Sequence, residues 1–140
     1  MAKISWLVPI MRALNNEDGE LVLDTPLTQL ALEAFPNNYT FSIAFGIIDL
    51  NPNILNEMKL RIGIERQDNT EYEIFNANIQ MESNLNKEYK EFLVGKTVEY
   101  NSNINLNNFR FAEPGLYFIE LTIDNNPTKI NFRVTPKGVK

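Results

Sequence analysis

The strongest constraint on this fold is a two-residue alternation of apolar and polar side chains near the C-terminus. The alternation runs from Tyr117 to Ile123 and resumes from Ile130 to Val134, on either side of Asp124-Asn125-Asn126-Pro127. A period of two places every second side chain on one face of a β-strand. Pro114-Gly115, which precedes the first run, is typical of a turn. The pattern predicts a β-hairpin with one buried face.

Similar alternation recurs along most of the chain, interrupted by turns rich in Asn, Pro and Gly. A parity change between Ile74 and Ile79 predicts a bulge near Asn76. Short strands at this spacing predict an all-β fold, an antiparallel two-sheet β-sandwich of the immunoglobulin-like or C2-like kind with seven to eight strands. We expect one domain over residues 1–136 and a C-terminal tail over 137–140. The further strands are predicted over 3–11, from Leu21, from Tyr39 to Ile47, from Met58 to Ile64, over 72–81 and from Val98 to Leu106.

Two segments do not alternate. Residues 27–35 carry apolar side chains at helical spacing after Thr25-Pro26, which predicts either one short helix or an irregular crossover. Residues 83–96 carry a helical apolar stripe that Gly95 is placed to end. The stripe consists of Leu85, Tyr89, Phe92 and Leu93.

Composition excludes several kinds of function. The 140 residues contain no Cys and no His, so disulfides, zinc sites built from these residues and a histidine general base are ruled out. The net charge of -5, with scattered basic residues, argues against nucleic acid and membrane partners. The N-terminal apolar run is interrupted by Pro9 and followed by Arg12, unlike a signal peptide. We therefore predict a cytoplasmic protein that is not an enzyme, with no catalytic residues, no metal site and no cofactor.

Carboxylates and aromatic rings leave one alternative function open. Loop acids at the tip of a sandwich are able to bind calcium, although Asp and Asn also serve simply to form turns and keep strand edges soluble. Trp6 is in phase with Ile4 and Val8, which favours a place in the core over a sugar-binding platform. The alternative is a calcium- or carbohydrate-binding β-sandwich module. The acids considered are Glu17, Asp18, Glu20 and Asp24 near the first hairpin, and Asp49, Asp68 and Asp124 at strand ends.

Four apolar residues are out of phase with the buried faces predicted for their strands. Leu116 and Phe118 lie opposite the Tyr117 face, and Leu7 and Met11 lie opposite the Trp6 face. If those faces meet solvent, the four residues form an apolar interaction surface. Coverage by 27–35 or 83–96 is the alternative. This observation predicts a non-catalytic protein-interaction or assembly module, with a protein partner or self-association.

Two resemblances support the sandwich. Pro114-Gly115-Leu116-Tyr117 resembles the tyrosine corner of immunoglobulin-like sandwiches, in which a Tyr at the start of a strand bonds back to the backbone. The stretch from Asn105 to Tyr117, followed by Leu121-Thr122-Ile123-Asp124, is similar to a family of small bacterial proteins of unknown function, as is Phe35-Pro36 before a long apolar strand. This resemblance implies a β-sandwich fold and carries no assigned activity.

Overall fold

The computed structural model describes residues 2–15, 17–18, 21–51, 53–81 and 98–138. The predicted helical stripe over 83–96 lies outside these residues. Nine strands form in the part of the chain that is described, more than the seven to eight predicted. They are β1 (Lys3–Asn15), β2 (Leu21–Pro26), β3 (Gln29–Leu32), β4 (Asn37–Leu50), β5 (Asn56–Glu65), β6 (Glu71–Met81), β7 (Val98–Phe111), β8 (Gly115–Ile123) and β9 (Asn126–Pro136).

The strands form two sheets, which confirms the predicted β-sandwich. A four-stranded sheet has the order β2-β1-β4-β7, and a five-stranded sheet has the order β3-β9-β8-β5-β6. Neighbouring strands are antiparallel with one exception, since β3 and β9 run parallel. β2 therefore belongs to one sheet and β3 to the other, so the chain crosses between the sheets at Leu27. The Leu27 N–H donates to the Pro9 carbonyl oxygen at 2.7 Å.

The short helix predicted within 27–35 is wrong. Gln29–Leu32 is a strand, in which Leu30 and Leu32 are buried and Ala31 is exposed. The helical spacing of apolar residues in this segment is overridden by parallel pairing with β9, because the backbone groups of β3 find their partners there. Within the described residues the chain is all-β.

The core lies between the two sheets and is richest around β8. Tyr117, Ile119, Leu121 and Ile123 are fully buried, as the alternation predicted. The Tyr117 hydroxyl donates to the Glu113 carbonyl oxygen at 2.7 Å, which confirms the predicted tyrosine corner. Burial of the Tyr117 ring raises the pKa of its hydroxyl. This bond ties β8 to the turn that precedes it.

A β-bulge near the start of β1 reverses the predicted facing of its side chains. Ile4 pairs with Ile47 and Trp6 with Gly46, so Ser5 is the additional residue. An additional residue shifts the two-residue period by one position. Leu7 therefore joins the core, and Trp6 lies over Gly46 on the opposite face. The prediction that Trp6 belongs to the core and that Leu7 faces outward is wrong.

The bulge predicted near Asn76 is confirmed two residues earlier in β6. Ile62 pairs with Phe75 and Gly63 pairs with Glu73, which leaves Ile74 as the additional residue. The side chain of Ile74 is exposed at the free edge of this strand. The bulge thus interrupts the regular edge of the five-stranded sheet.

Candidate functional site

The four residues of the predicted interaction surface do not form one surface. Leu7 is buried in the core on the inner face of the four-stranded sheet, whereas Phe118 lies on the outer face of the five-stranded sheet and is 0% exposed. Leu116 is half-buried on β8, and Met11 is 46% exposed on β1. The expectation of solvent exposure is therefore wrong for Leu7 and Phe118. Of the four residues, Met11 alone is largely exposed.

Among the described residues, charged side chains lie over the ring of Phe118. Phe118 pairs with Gly63, whose missing side chain makes room for the ring, because a Cβ at Gly63 would lie 2.7 Å from Phe118 Cε1. The Arg61 guanidinium carbon lies 5.3 Å from the ring centroid and Lys129 Nζ lies 5.0 Å from it. Both distances are typical of cation–π contacts. Phe118 points outward but is closed off from solvent.

Carboxylates hold the two cations in place above Phe118. Arg61 donates to Glu73 and to Glu120, each at 2.7 Å, and Lys129 Nζ lies 2.5 Å from Glu65 Oε1. Glu71 lies 3.5 Å from Arg61 and 3.4 Å from Lys129, so it connects the two groups. We call this set the charged cover. Its members are Arg61, Glu65, Glu71, Glu73, Glu120 and Lys129.

The hydrogen bonds of the charged cover shift the pKa values of its members. Hydrogen bonds to Glu120 and then Glu73 raise the pKa of Arg61. The hydrogen bond to Glu65 raises the pKa of Lys129, and the same bond lowers the pKa of Glu65. Each shift favours the charged form of the group. Both cations of the charged cover are paired with carboxylates, which is a structural role for them.

The acids considered for calcium binding are separated in the described part of the chain. Asp24 accepts a hydrogen bond from Arg12 at 2.7 Å, Asp68 accepts one from the Thr70 hydroxyl at 2.6 Å, and Asp124 accepts one from the Ala2 N–H at 2.9 Å. The bond from Arg12 lowers the pKa of Asp24, and the bond from Thr70 lowers that of Asp68. Among the described residues, no three such acids come together in a group able to hold a metal ion. Glu20 lies outside those residues.

The strand β7 is one of the two edges of the four-stranded sheet, and its composition is unlike that of the other sheet edges. β7 pairs with β4 along one side, and no described residue pairs with its other side. Tyr100 to Leu106 stay in continuous register with β4 between two irregularities. The ten residues from Tyr100 to Phe109 include no charged residue, no Pro and no Gly. Tyr100 is 43% exposed on this strand.

The side chains of β7 form two distinct rows. On the outer face, Asn101, Asn103 and Asn105 lie beside Gly46, Ala44 and Ser42 of β4. Asn105 Oδ1 accepts hydrogen bonds from Ser42 Oγ at 2.6 Å and from Asn103 Nδ2 at 3.0 Å, so the asparagine row is ordered by its own contacts. The inner row faces the interior of the sandwich and consists of Tyr100, Ser102, Ile104 and Leu106.

Each of the other three sheet edges carries features that hinder pairing with another strand. Such features include short length, charge, Pro and bulges. β2 has six residues, ends at Pro26 and carries Asp24 in an ion pair. β3 has four residues. β6 carries Glu71 and Glu73 and is interrupted by the bulge at Ile74. β7 is therefore the long edge with the least protection among the described strands.

A cleft of about 390 Å³ runs along the inner side of the β7 edge, between the two sheets. Ile74 and Phe75 of β6 line one wall, and Leu106 and Phe109 of β7 line the other. The rings of Phe75 and Phe109 meet edge to face with centroids 6.5 Å apart. The cleft places apolar surface directly beside the side of β7 that no described residue pairs with.

Sequence reasoning missed this edge, although a signal for it was present. A run of ten residues without charge, Pro or Gly is visible in the printed sequence. What the sequence did not show is that β7 ends its sheet, because strand order depends on pairing between distant segments. The order β2-β1-β4-β7 places β7 at the end of its sheet among the described strands.

Fold and site together define a two-sheet β-sandwich of nine described strands, in which the edge strand β7 is uncharged from Tyr100 to Phe109. Residues 12–135 match the family of unknown function DUF6941, and the chain belongs to that family. No curated protein matches the sequence. None of the described residues forms a helix long and apolar enough to cross a membrane.

Solved structures similar to this chain are parts of longer proteins. The alkylpurine DNA glycosylase AlkC of Pseudomonas fluorescens, bound to DNA with an abasic site analog, superposes on 96% of this chain and 30% of its own length, with a TM-score of 0.49 and 8% identity. The β-glucosidase EmGH1 of Erythrobacter marinus covers 96% of this chain over 15% of its own, with the same score and identity. A β-glucosidase of Listeria innocua has a TM-score of 0.47, 9% identity and coverages of 96% and 16%. All three matches are distant, and each covers only part of a longer protein.

Proposed function

We propose that this chain is a non-catalytic protein-interaction or assembly module whose binding element is the free side of β7. The observation that supports it is the contrast among the four sheet edges. A free edge presents backbone N–H and C=O groups to which another strand can add. Three of the edges carry hindering features, and β7 carries none from Tyr100 to Leu106; its bulge lies beyond this stretch, between Leu106 and Phe109, where Asn108 has a positive φ.

The chemistry of the edge defines the kind of partner. In strand addition, backbone hydrogen bonds supply affinity, and pockets for alternate side chains supply specificity. An incoming extended segment would place alternate side chains beside the asparagine row and beside the inner row. On the inner side, the cleft lined by Phe75 and Phe109 is suited to an apolar side chain. The partner is therefore an extended, mainly uncharged protein segment.

The test is a selection of displayed peptides twelve residues long against the folded protein. Peptides that bind wild type are expected to lose binding to the variant Asn101→Lys/Asn103→Lys, because lysine on an edge strand hinders pairing. Asn78→Lys, on the exposed face of β6, is the matched control and is expected to retain binding. Circular dichroism shows whether each variant is folded. If enriched peptides bind the β7 variant as well as they bind wild type, the proposal is wrong.

A further inference from the structure

We infer that the strand that adds to β7 is β7 of a second copy of this chain, antiparallel and related by a two-fold axis that lies between the two strands and is perpendicular to the sheet. The inference rests on the proposed function, because it names the occupant of the same edge. Joining the two four-stranded sheets in this way makes one continuous sheet of 4 + 4 strands. The argument for a second copy comes from the two side-chain rows of β7.

The asparagine row is complementary to itself. In a two-fold antiparallel pair, opposite residues lie on the same face of the sheet, so odd-numbered residues of β7 meet odd-numbered residues of the other copy. With the axis at Asn103, Asn101 would therefore face Asn105 of the other copy, and Asn103 would face its own equivalent. Each amide carries both donors and an acceptor, so two asparagines can bond to each other. A row of like charges would repel its own copy, and this segment has no charge.

The inner row is complementary to itself in a different way. The inner row, Tyr100, Ser102, Ile104 and Leu106, would meet the same row of the second copy, with Ser102 opposite Ile104. With the axis at Asn103, Tyr100 lies opposite Leu106 of the other copy, so the 43% of Tyr100 that is exposed would be covered. Cross-strand pairs of an aromatic and an aliphatic side chain stabilise a sheet. The cleft beside Phe109 would then be closed by the neighbouring molecule.

Cysteine scanning of β7 tests this geometry directly, since the natural chain has no cysteine. Each residue from 100 to 105 is replaced in turn, for example Ser102→Cys, and intermolecular disulfides are measured under mild oxidation. Opposite residues in an antiparallel pair have Cα atoms about 4.5–5.5 Å apart, within disulfide range. A residue one step from the axis meets its own equivalent diagonally, at about 8 Å, beyond that range. The disulfide yield is therefore expected to peak at one position, the residue on the axis.

Two controls accompany the scan. Asn78→Cys on β6 is expected to form no more dimer than background. Sedimentation of wild type over a range of concentrations is expected to show a monomer–dimer equilibrium, and Asn101→Lys/Asn103→Lys is expected to raise its dissociation constant about tenfold or more through like-charge contacts.

The outcomes separate this inference from the proposed function. A sharp peak of cross-linking within 100–105, together with a dimer weakened by the lysines, supports the second copy. A flat or absent cross-linking profile, or a wild type that stays monomeric, overturns it. If displayed peptides still bind β7 in that case, strand addition stands and the partner is another protein. If neither peptides nor a second copy use β7, both proposals fail.

Discussion

Replacement of Phe118 by Ala tests whether the charged cover and the ring beneath it stabilise the fold rather than form an interaction surface. The ring is 0% exposed, seated above Gly63 and below the side chains of Arg61 and Lys129. Deleting it removes apolar contacts and leaves both cations without their aromatic neighbour. The variant is therefore expected to be less stable than wild type.

The magnitude follows from what surrounds the ring. Truncation of a buried Phe to Ala costs about 3–5 kcal/mol, and the cost falls as the surroundings collapse into the space. The charged cover consists of long, flexible side chains that can move into the space left by the ring. The expected loss in free energy of unfolding is therefore near the lower end of this range, about 3 kcal/mol. Loss of two cation–π contacts, each about 0.5–1 kcal/mol at the surface, is included in that figure. Domains are stable by about 5–15 kcal/mol, so the variant is expected to fold.

Urea unfolding followed by far-ultraviolet circular dichroism measures this loss. Tyr72→Ala is the matched control, because Tyr72 is an aromatic residue of the same sheet that is 59% exposed beside Arg66. The control is expected to lose less than about 1 kcal/mol. Phe118→Leu, which keeps apolar volume, is expected to lose less than Phe118→Ala. A loss below about 1 kcal/mol for Phe118→Ala would show that the ring is open to solvent and that the structural reading is wrong.

Two further predictions concern the corner and the cover. Tyr117→Phe removes the 2.7 Å bond to the Glu113 carbonyl oxygen and is expected to lower the free energy of unfolding by about 0.5–1.5 kcal/mol, measured by urea unfolding. The hydrogen bond to Lys129 is the largest of the interactions that lower the pKa of Glu65. The ionised Glu65 carboxylate therefore stabilises the fold fully above the ordinary pKa of 4.5, and this stabilisation is lost as the pH falls through the lowered pKa. Glu65→Gln is therefore expected to lose less stability than wild type between about pH 5 and 3, measured by urea midpoints.

Each of these results has a clear contrary outcome. Equal stability of Tyr117→Phe and wild type would mean that the corner bond adds nothing beyond ring packing. Parallel loss of stability by Glu65→Gln and wild type on acidification would mean that the contact with Lys129 does not couple the carboxyl to folding. Both experiments use the intact chain, and circular dichroism at neutral pH confirms that each variant is folded.

The local alternation of apolar and polar residues was sufficient to predict the two-sheet β-sandwich and the hairpin formed by β8 and β9. Tyr117 to Ile123 alternate so regularly that only one register buries all four apolar side chains, and the structure buries them. Pro114-Gly115 followed by Tyr117 predicted the corner, because the bond from the hydroxyl to Glu113 spans four residues and depends on local geometry. Features of this kind are readable from sequence because the interacting groups are close in the chain.

Tertiary pairing decided the features that the alternation could not show. The bulge at Ser5 moved Leu7 into the core and Trp6 out of it, since one additional residue reverses every later side chain in the strand. Gly63 of β5 made room for the Phe118 ring, and Arg61 of β5 covered it together with Lys129 of β9, although β5 is distant from β8 in sequence. Residues 29–32 became a strand because β9 offered a partner.

The edge strand shows the same division between sequence and structure. The sequence by itself determined that residues 100–109 carry no charge, Pro or Gly, and that alternate positions from 101 to 105 are Asn. The tertiary structure alone decided that this strand ends its sheet, with one side of its backbone unpaired by any described residue. Strand order arises from contacts between segments far apart in the chain, and local periodicity carries no information about it.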